Sequence, residues 1–100
     1  LVMFGSGGVE VEGLRDVEFA LAPVTPGEAE GLLARTWAGR RLAGFRNMPP
    51  ADRAAILDVI RRLGQLAADF PQLAEIELNP VRVLPGSGGA IAVDARARLG

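Results

Sequence analysis

The stretch EIELNPVRVLPGSGGAIAVDAR, residues 75–96, decides how the chain is read. Its strand-like runs are LAEIELN at 73–79, VRVL at 81–84 and AIAVDAR at 90–96, with a proline- and glycine-rich turn at 85–89. If the loop is Pro85–Gly88, Leu84 faces Gly89, and counting outward sets Asn79 opposite Asp94. Directly opposed residues share a face with Cβ atoms about 4.5–5.5 Å apart, so an amide oxygen and a carboxylate there can share one hard cation. The same period of two puts Glu75, Glu77 and Asn79 on one face and Ile76 and Leu78 on the other. Pro80 cannot donate to a ladder, so a bulge or edge is expected there, and a slip of one residue would change the facing. The plain alternative for these carboxylates is the solvated face of a half-buried antiparallel sheet.

Outward from this stretch the pattern turns helical. Ile56, Val59, Ile60, Leu63, Leu66 and Ala67 make one apolar stripe in a helix from Ala51 to about Asp69. Ala29, Leu32, Leu33 and Trp37 mark a second helix from Pro26 to about Ala38, with Thr25 as N-cap and Pro26 in the first position. Trp37 reads as core at this spacing, and the segment from Gly39 to Pro50 as irregular. Upstream, LVMFG runs into a glycine cluster, and VEVE at 9–12 and DVEFALA at 16–22 alternate at period two. Val17, Phe19 and Leu21 take the apolar side there and Asp16 and Glu18 the other. Strands and helices that do not strictly alternate predict an α+β fold, a mostly antiparallel sheet with two helices on one face. The opening LVMFG has no polar cap before it, and residues 1–100 read as a single partial domain cut from a larger protein.

Composition narrows the chemistry. Hydrophobic residues make up 49% of the chain, enough for one core, and the net charge of -1 gives no general attraction to nucleic acid or an anionic membrane. There is no membrane-length apolar run and no signal-peptide pattern, so a cytoplasmic location is expected. With no cysteine and no histidine, thiolate metal sites, imidazole bases and phosphohistidine are excluded within these residues. All 11 basic residues are arginine, so any phosphate-binding lysine must come from elsewhere. The run FGSGG offers backbone N–H groups that can approach an anion closely. Arg15, Arg96 and Arg98 read as solvent-facing rather than as site residues.

The segments FGSGGVEVEGLRDVEFALAPVT, LAGFRNMPP and LAEIELNPVRVLPGSGGAIAVDARARL, in this order and spacing, resemble NDP-forming acyl-CoA synthetases over nearly the whole chain. The likeness is to the C-terminal part of their ATP-grasp domain, including the related segment of multidomain protein lysine acetyltransferases, and more loosely to the succinyl-CoA synthetase β subunit. In that family the asparagine of E-x-N-P and the aspartate of the next strand bind the nucleotide's magnesium, which implies Asn79 and Asp94 as metal ligands. The hairpin count selects the same pair. The resemblance also implies Gly7, Gly8 and Glu77 as nucleotide-binding residues. Arg46 matches an arginine that the family usually follows with glycine, where this chain has Asn47.

The family's reaction converts acyl-CoA, phosphate and a nucleoside diphosphate to acid, CoA and a nucleoside triphosphate. The resemblance therefore implies Mg2+ and ATP or ADP as cofactors, bound together with a missing adenine-binding subdomain, its lysine, a CoA-binding domain and a histidine, with no catalytic residue in this chain. Alone, it is expected to be inactive and to self-associate through surface that the missing parts would cover. Two other readings stand beside this one: a non-catalytic regulatory or assembly domain of a multidomain protein acetyltransferase, and an unrelated small interaction module.

Overall fold

The computed structural model describes residues 1–6, 16–44 and 46–100. The expected strand at 9–12, together with Gly7, Gly8, Arg15 and Phe45, lies outside these residues. The elements are β1 (Val2–Gly5), β2 (Val17–Ala20), α1 (Pro26–Ala34), a single turn α2 (Trp37–Arg40) running into a 3-10 turn at Arg41–Ala43, α3 (Arg53–Asp69), β3 (Leu73–Leu78), β4 (Val81–Val83), β5 (Ala90–Ala92) and β6 (Ala95–Leu99). All three described strand pairs are antiparallel: β1 with β2, β3 with β6 and β4 with β5. The α+β class holds, with the strands in separate ribbons rather than one continuous sheet.

The core lies where α1 and α3 pack together and against β1. Ala29, Leu32 and Leu33 of α1 and Ile56 and Ile60 of α3 are buried with Val2 and Val24. Burial of each large side chain contributes about 1.5–3 kcal/mol before conformational entropy is set against it. Helix α1 begins where the sequence places it. The Thr25 hydroxyl accepts from the Glu28 amide at 3.1 Å, and the Glu28 carboxylate accepts in return from the Thr25 amide at 3.0 Å, a reciprocal capping box.

The helix expected over Pro26–Ala38 is in fact two. Thr36 is fully buried, its hydroxyl donates to the Leu32 carbonyl at 2.8 Å and accepts from the Gly39 amide at 3.0 Å, so one side chain closes α1 and opens α2. The break swings Trp37 outward, and it is 39% exposed rather than core.

The β1–β2 ribbon also differs from its expected facing. Val2, Phe4 and Ala20 meet the core, while Phe19 and Leu21 are exposed. Alternation alone cannot say which face meets the helices when both carry apolar groups.

Asp52 joins two further elements. One carboxylate oxygen caps α3 by accepting from the Ala55 amide at 3.1 Å, and the other accepts from the Gly89 amide at 2.8 Å. The Asp52 amide donates to the Leu84 carbonyl at 2.8 Å, and the Gly86 amide donates to the Pro50 carbonyl at 3.0 Å. The turn at 85–88 is thereby fastened to the start of α3, which holds the β4–β5 hairpin in place. Gly86 and Gly89 take the positive φ values of 62° and 89° that the turn requires.

Candidate metal and nucleotide site

The hairpin count from the sequence is the register of the structure. Val81 pairs with Ala92, Arg82 with Ile91 and Val83 with Ala90, and the Leu84 amide donates to the Gly89 carbonyl at 2.9 Å. Beyond Pro80 the same count continues, with Leu78 opposite Ala95, Glu77 opposite Arg96, Ile76 opposite Ala97 and Glu75 opposite Arg98. The ladder is interrupted at Asn79 and Pro80, whose peptide bond is cis, but the interruption adds no residue to either side. The slip expected at Pro80 occurs instead between Leu73 and Glu75. The run 90–96, read as one strand, is divided at Val93 and Asp94 into β5 and β6.

At this junction the Asn79 amide donates to the Asp94 carbonyl at 3.1 Å and the Val93 amide to the Pro80 carbonyl at 2.9 Å. Glu77, Asn79, Asp94 and Arg96 line one small open cavity of about 60 Å³. A broader trough of about 400 Å³ continues along the ribbon, bordered by Glu75, Glu77, Arg96, Ala97 and Arg98. The small cavity has room for an ion and a few waters. A nucleotide needs the several hundred cubic ångströms of an ordinary ligand pocket and further walls.

Local hydrogen bonds orient the two proposed ligands. The Asn79 Nδ2 donates to Glu77 Oε1 at 3.0 Å, which leaves its amide oxygen without a partner among the described residues. Asp94 Oδ1 accepts from the Ala95 amide at 2.9 Å, which leaves Oδ2 in the same condition. The donor set is thus two hard oxygens, suited to magnesium or calcium rather than to a soft metal. Among the described residues no three His, Cys, Asp or Glu side chains gather as a metal cage. Such a pair suits a cation that takes its remaining ligands from phosphate and water.

Gly7 and Gly8 lie outside the described residues, but the two residues that flank that segment are held together. The Ser6 amide donates to the Asp16 carbonyl at 3.0 Å, and the Ser6 hydroxyl donates to the Asp16 carboxylate. That carboxylate also accepts from the amides of Trp37 at 2.7 Å and Ala38 at 2.9 Å. Partial burial pushes the Asp16 carboxyl upward, but the hydrogen bonds from Ser6, Trp37 and Ala38, with Arg40 nearby, outweigh it and hold the group below the ordinary aspartate value. Local alternation marks Asp16 only as an outward polar residue of a strand and carries no signal of its contacts with Trp37 and Ala38, 21 and 22 positions away.

Arg46, which matches an arginine of the family pattern, is itself in the left-handed region at φ 57°, whereas Asn47 is not. The glycine missing at position 47 is therefore not needed for a positive φ there. Arg96, expected from its type to face solvent, lines the cavity as well. Continuing the hairpin count two residues past Asp94 places it opposite Glu77, on the face of Asn79 and Asp94.

The ATP-grasp domain model matches residues 1–99. The chain belongs to the ATP-grasp family. This ATP-grasp chain is 44% identical over 100 residues to acetate–CoA ligase (ADP-forming) I of Archaeoglobus fulgidus, of which it spans 14%. It is 43% identical over 98 residues to the β subunit of acetate–CoA ligase (ADP-forming) I of Pyrococcus furiosus, spanning 41% of that subunit. Among solved structures, dinucleotide-forming acetyl-coenzyme A synthetase 1 of Candidatus Korarchaeum cryptofilum, in complex with coenzyme A and Mg-AMPPCP, superposes with a TM-score of 0.87 at 43% identity. That likeness covers 98% of the ATP-grasp chain and 45% of the synthetase chain. The chain thus matches the ATP-grasp part of NDP-forming acyl-CoA synthetases and spans less than half the length of the relatives named here. A non-catalytic acetyltransferase domain finds no support among them.

Proposed function

We propose that the chain supplies the metal-binding wall of the nucleotide site in an NDP-forming acyl-CoA synthetase. The whole protein would convert acyl-CoA, phosphate and a nucleoside diphosphate to acid, CoA and a nucleoside triphosphate. The observation that carries this reading is the small cavity that Glu77, Asn79 and Asp94 line together at the junction of the two ribbons, where the pairing register runs on unchanged.

The Asn79 amide oxygen and the Asp94 carboxylate would hold Mg2+, with ATP or ADP phosphates as further ligands. When bound, the ion supplies neutralisation of phosphate charge, a main source of catalysis in phosphoryl transfer. Glu77 holds the Asn79 amide so that its oxygen, not its nitrogen, is left for the cation, and it borders the nucleotide side of the cavity. Gly7 and Gly8 are assigned to the nucleotide by resemblance. The chain has no histidine and no lysine, so the phosphoryl acceptor, the usual phosphate cation and the adenine pocket belong to the rest of the ATP-grasp and CoA-binding parts. Alone, the 100 residues would turn over neither ATP nor acyl-CoA.

The test is Asp94→Asn in the complete protein, measured for turnover and for thermal stability. Asp94 is exposed, so its replacement is expected to change stability by no more than about 0.5 kcal/mol while turnover falls by at least tenfold. Turnover equal to the parent protein would overturn the assignment.

A further inference from the structure

Arg96 is the charged group of this face that the described residues leave uncommitted. On the β3–β6 ribbon, Glu75 opposes Arg98 and Glu77 opposes Arg96. The first pair closes, with Arg98 donating to the Glu75 carboxylate at 3.3 Å. In the second, Glu77 Oε1 accepts from Asn79, and Arg96 has neither an ion pair nor a hydrogen bond among the described residues. Its side chain borders both the small cavity at Asn79 and Asp94 and the trough that extends from it.

Resting on the metal assignment above, we infer that Arg96 binds a phosphoryl oxygen beside the Asn79–Asp94 pair. With Glu75 and Arg98 paired, the face retains two carboxylates, Glu77 and Asp94, and one guanidinium. A divalent cation on Asn79 and Asp94 reverses the sign of that balance and makes the site receptive to an anion. Guanidinium is suited to this because it stays charged and presents a planar fork of donors that matches two phosphate oxygens. It also provides, within a chain that has no lysine, a phosphate cation of its own. The phosphoryl group has two sources in the proposed reaction, the nucleotide and free phosphate.

The experiment uses the complete protein, in which Arg96→Gln and Arg96→Lys are compared with Asp94→Asn and with Arg61→Gln, a change at an exposed arginine of α3 outside the cavity and the trough. Mg·ADP affinity is measured by calorimetric titration, and the KM for inorganic phosphate at saturating ADP. Arg96→Gln is expected to weaken one of the two by about tenfold, with partial recovery in Arg96→Lys and little change in Arg61→Gln. Loss of ADP affinity identifies the nucleotide phosphate, and a raised phosphate KM alone identifies free phosphate. If Arg96→Gln changes neither, or no more than Arg61→Gln does, the assignment of Arg96 is overturned. Weakening in Arg96→Gln without weakening of Mg·ADP binding in Asp94→Asn would remove the metal assignment and leave the phosphoryl contact standing.

Discussion

Asn79 and Asp94 stand opposite each other at the open end of a hairpin, the Asn79 amide donating to the Asp94 carbonyl at 3.1 Å. The closed end of the same hairpin is tied to α3 through Asp52. The two proposed ligands are therefore placed by an element that is fixed at both ends of its register, not by a free loop.

Asp52→Ala should loosen that arrangement. It removes the N-cap of α3 and leaves the Gly89 amide without its acceptor. The cap is worth about 1 kcal/mol, so a thermal melt should shift down by roughly 4–8 °C for a domain of this size. A melt that matches the parent protein would show that the tie contributes nothing.

The Asp16 carboxylate should make stability depend on pH in a defined direction. Its folded-state pKa is lowered, so its contribution is complete above the unfolded value of about 3.9 and is lost as pH falls through the lower folded value. Asp16→Ala should thus melt below the parent protein at pH 7, and the gap should narrow in strong acid. A gap that stays constant between pH 7 and pH 2 would refute this coupling.

Gly39 is buried within α2, and a Cβ there would overlap the backbone of Leu33. Gly39→Ala should cost about 1–3 kcal/mol, the range for overpacking in a close-packed interior. Unfolding in denaturant checks it, and an unchanged midpoint would contradict the packing described.

On the outer face of β1–β2, Met3 stands opposite Phe19, and they are 63% and 51% exposed. Leu1 and Leu21, at 83% and 70%, extend the apolar surface. The 100-residue chain is expected to self-associate as concentration rises, and Phe19→Ser to weaken that association. Sedimentation velocity reads both. A monomer at every concentration would contradict the expectation.

The elements most legible in the sequence are those set by short-range chemistry. Thr25 and Pro26 announced the start of α1, the stripe Ile56 to Ala67 announced α3, and turn geometry at Pro85–Gly88 carried the pairing count to Asn79 and Asp94. What the sequence withheld depended on contacts between distant residues. Thr36 divides a helix whose apolar spacing runs on through Trp37, because its hydroxyl bridges Leu32 and Gly39 in the buried interior. Phe19 faces outward because Val2 and Ala20, on the opposite side of the ribbon, meet the helices. Arg96 carries no mark in the sequence because exposure is the ordinary state of an arginine, and what sets it apart is that Glu77, opposite it, is engaged by Asn79.

The metal pair is tested most directly by manganese as a paramagnetic substitute for magnesium, followed by electron paramagnetic resonance in the complete protein. With ADP present, the parent protein should bind Mn2+ tightly. Without ADP the binding should be weak, since the protein offers only the Asn79 amide oxygen and the Asp94 carboxylate. Asp94→Asn should weaken the ADP-dependent binding by at least tenfold while the protein remains folded. Mn2+ binding in Asp94→Asn equal to that of the parent protein, at the same ADP concentration, would contradict the placement of the metal between Asn79 and Asp94.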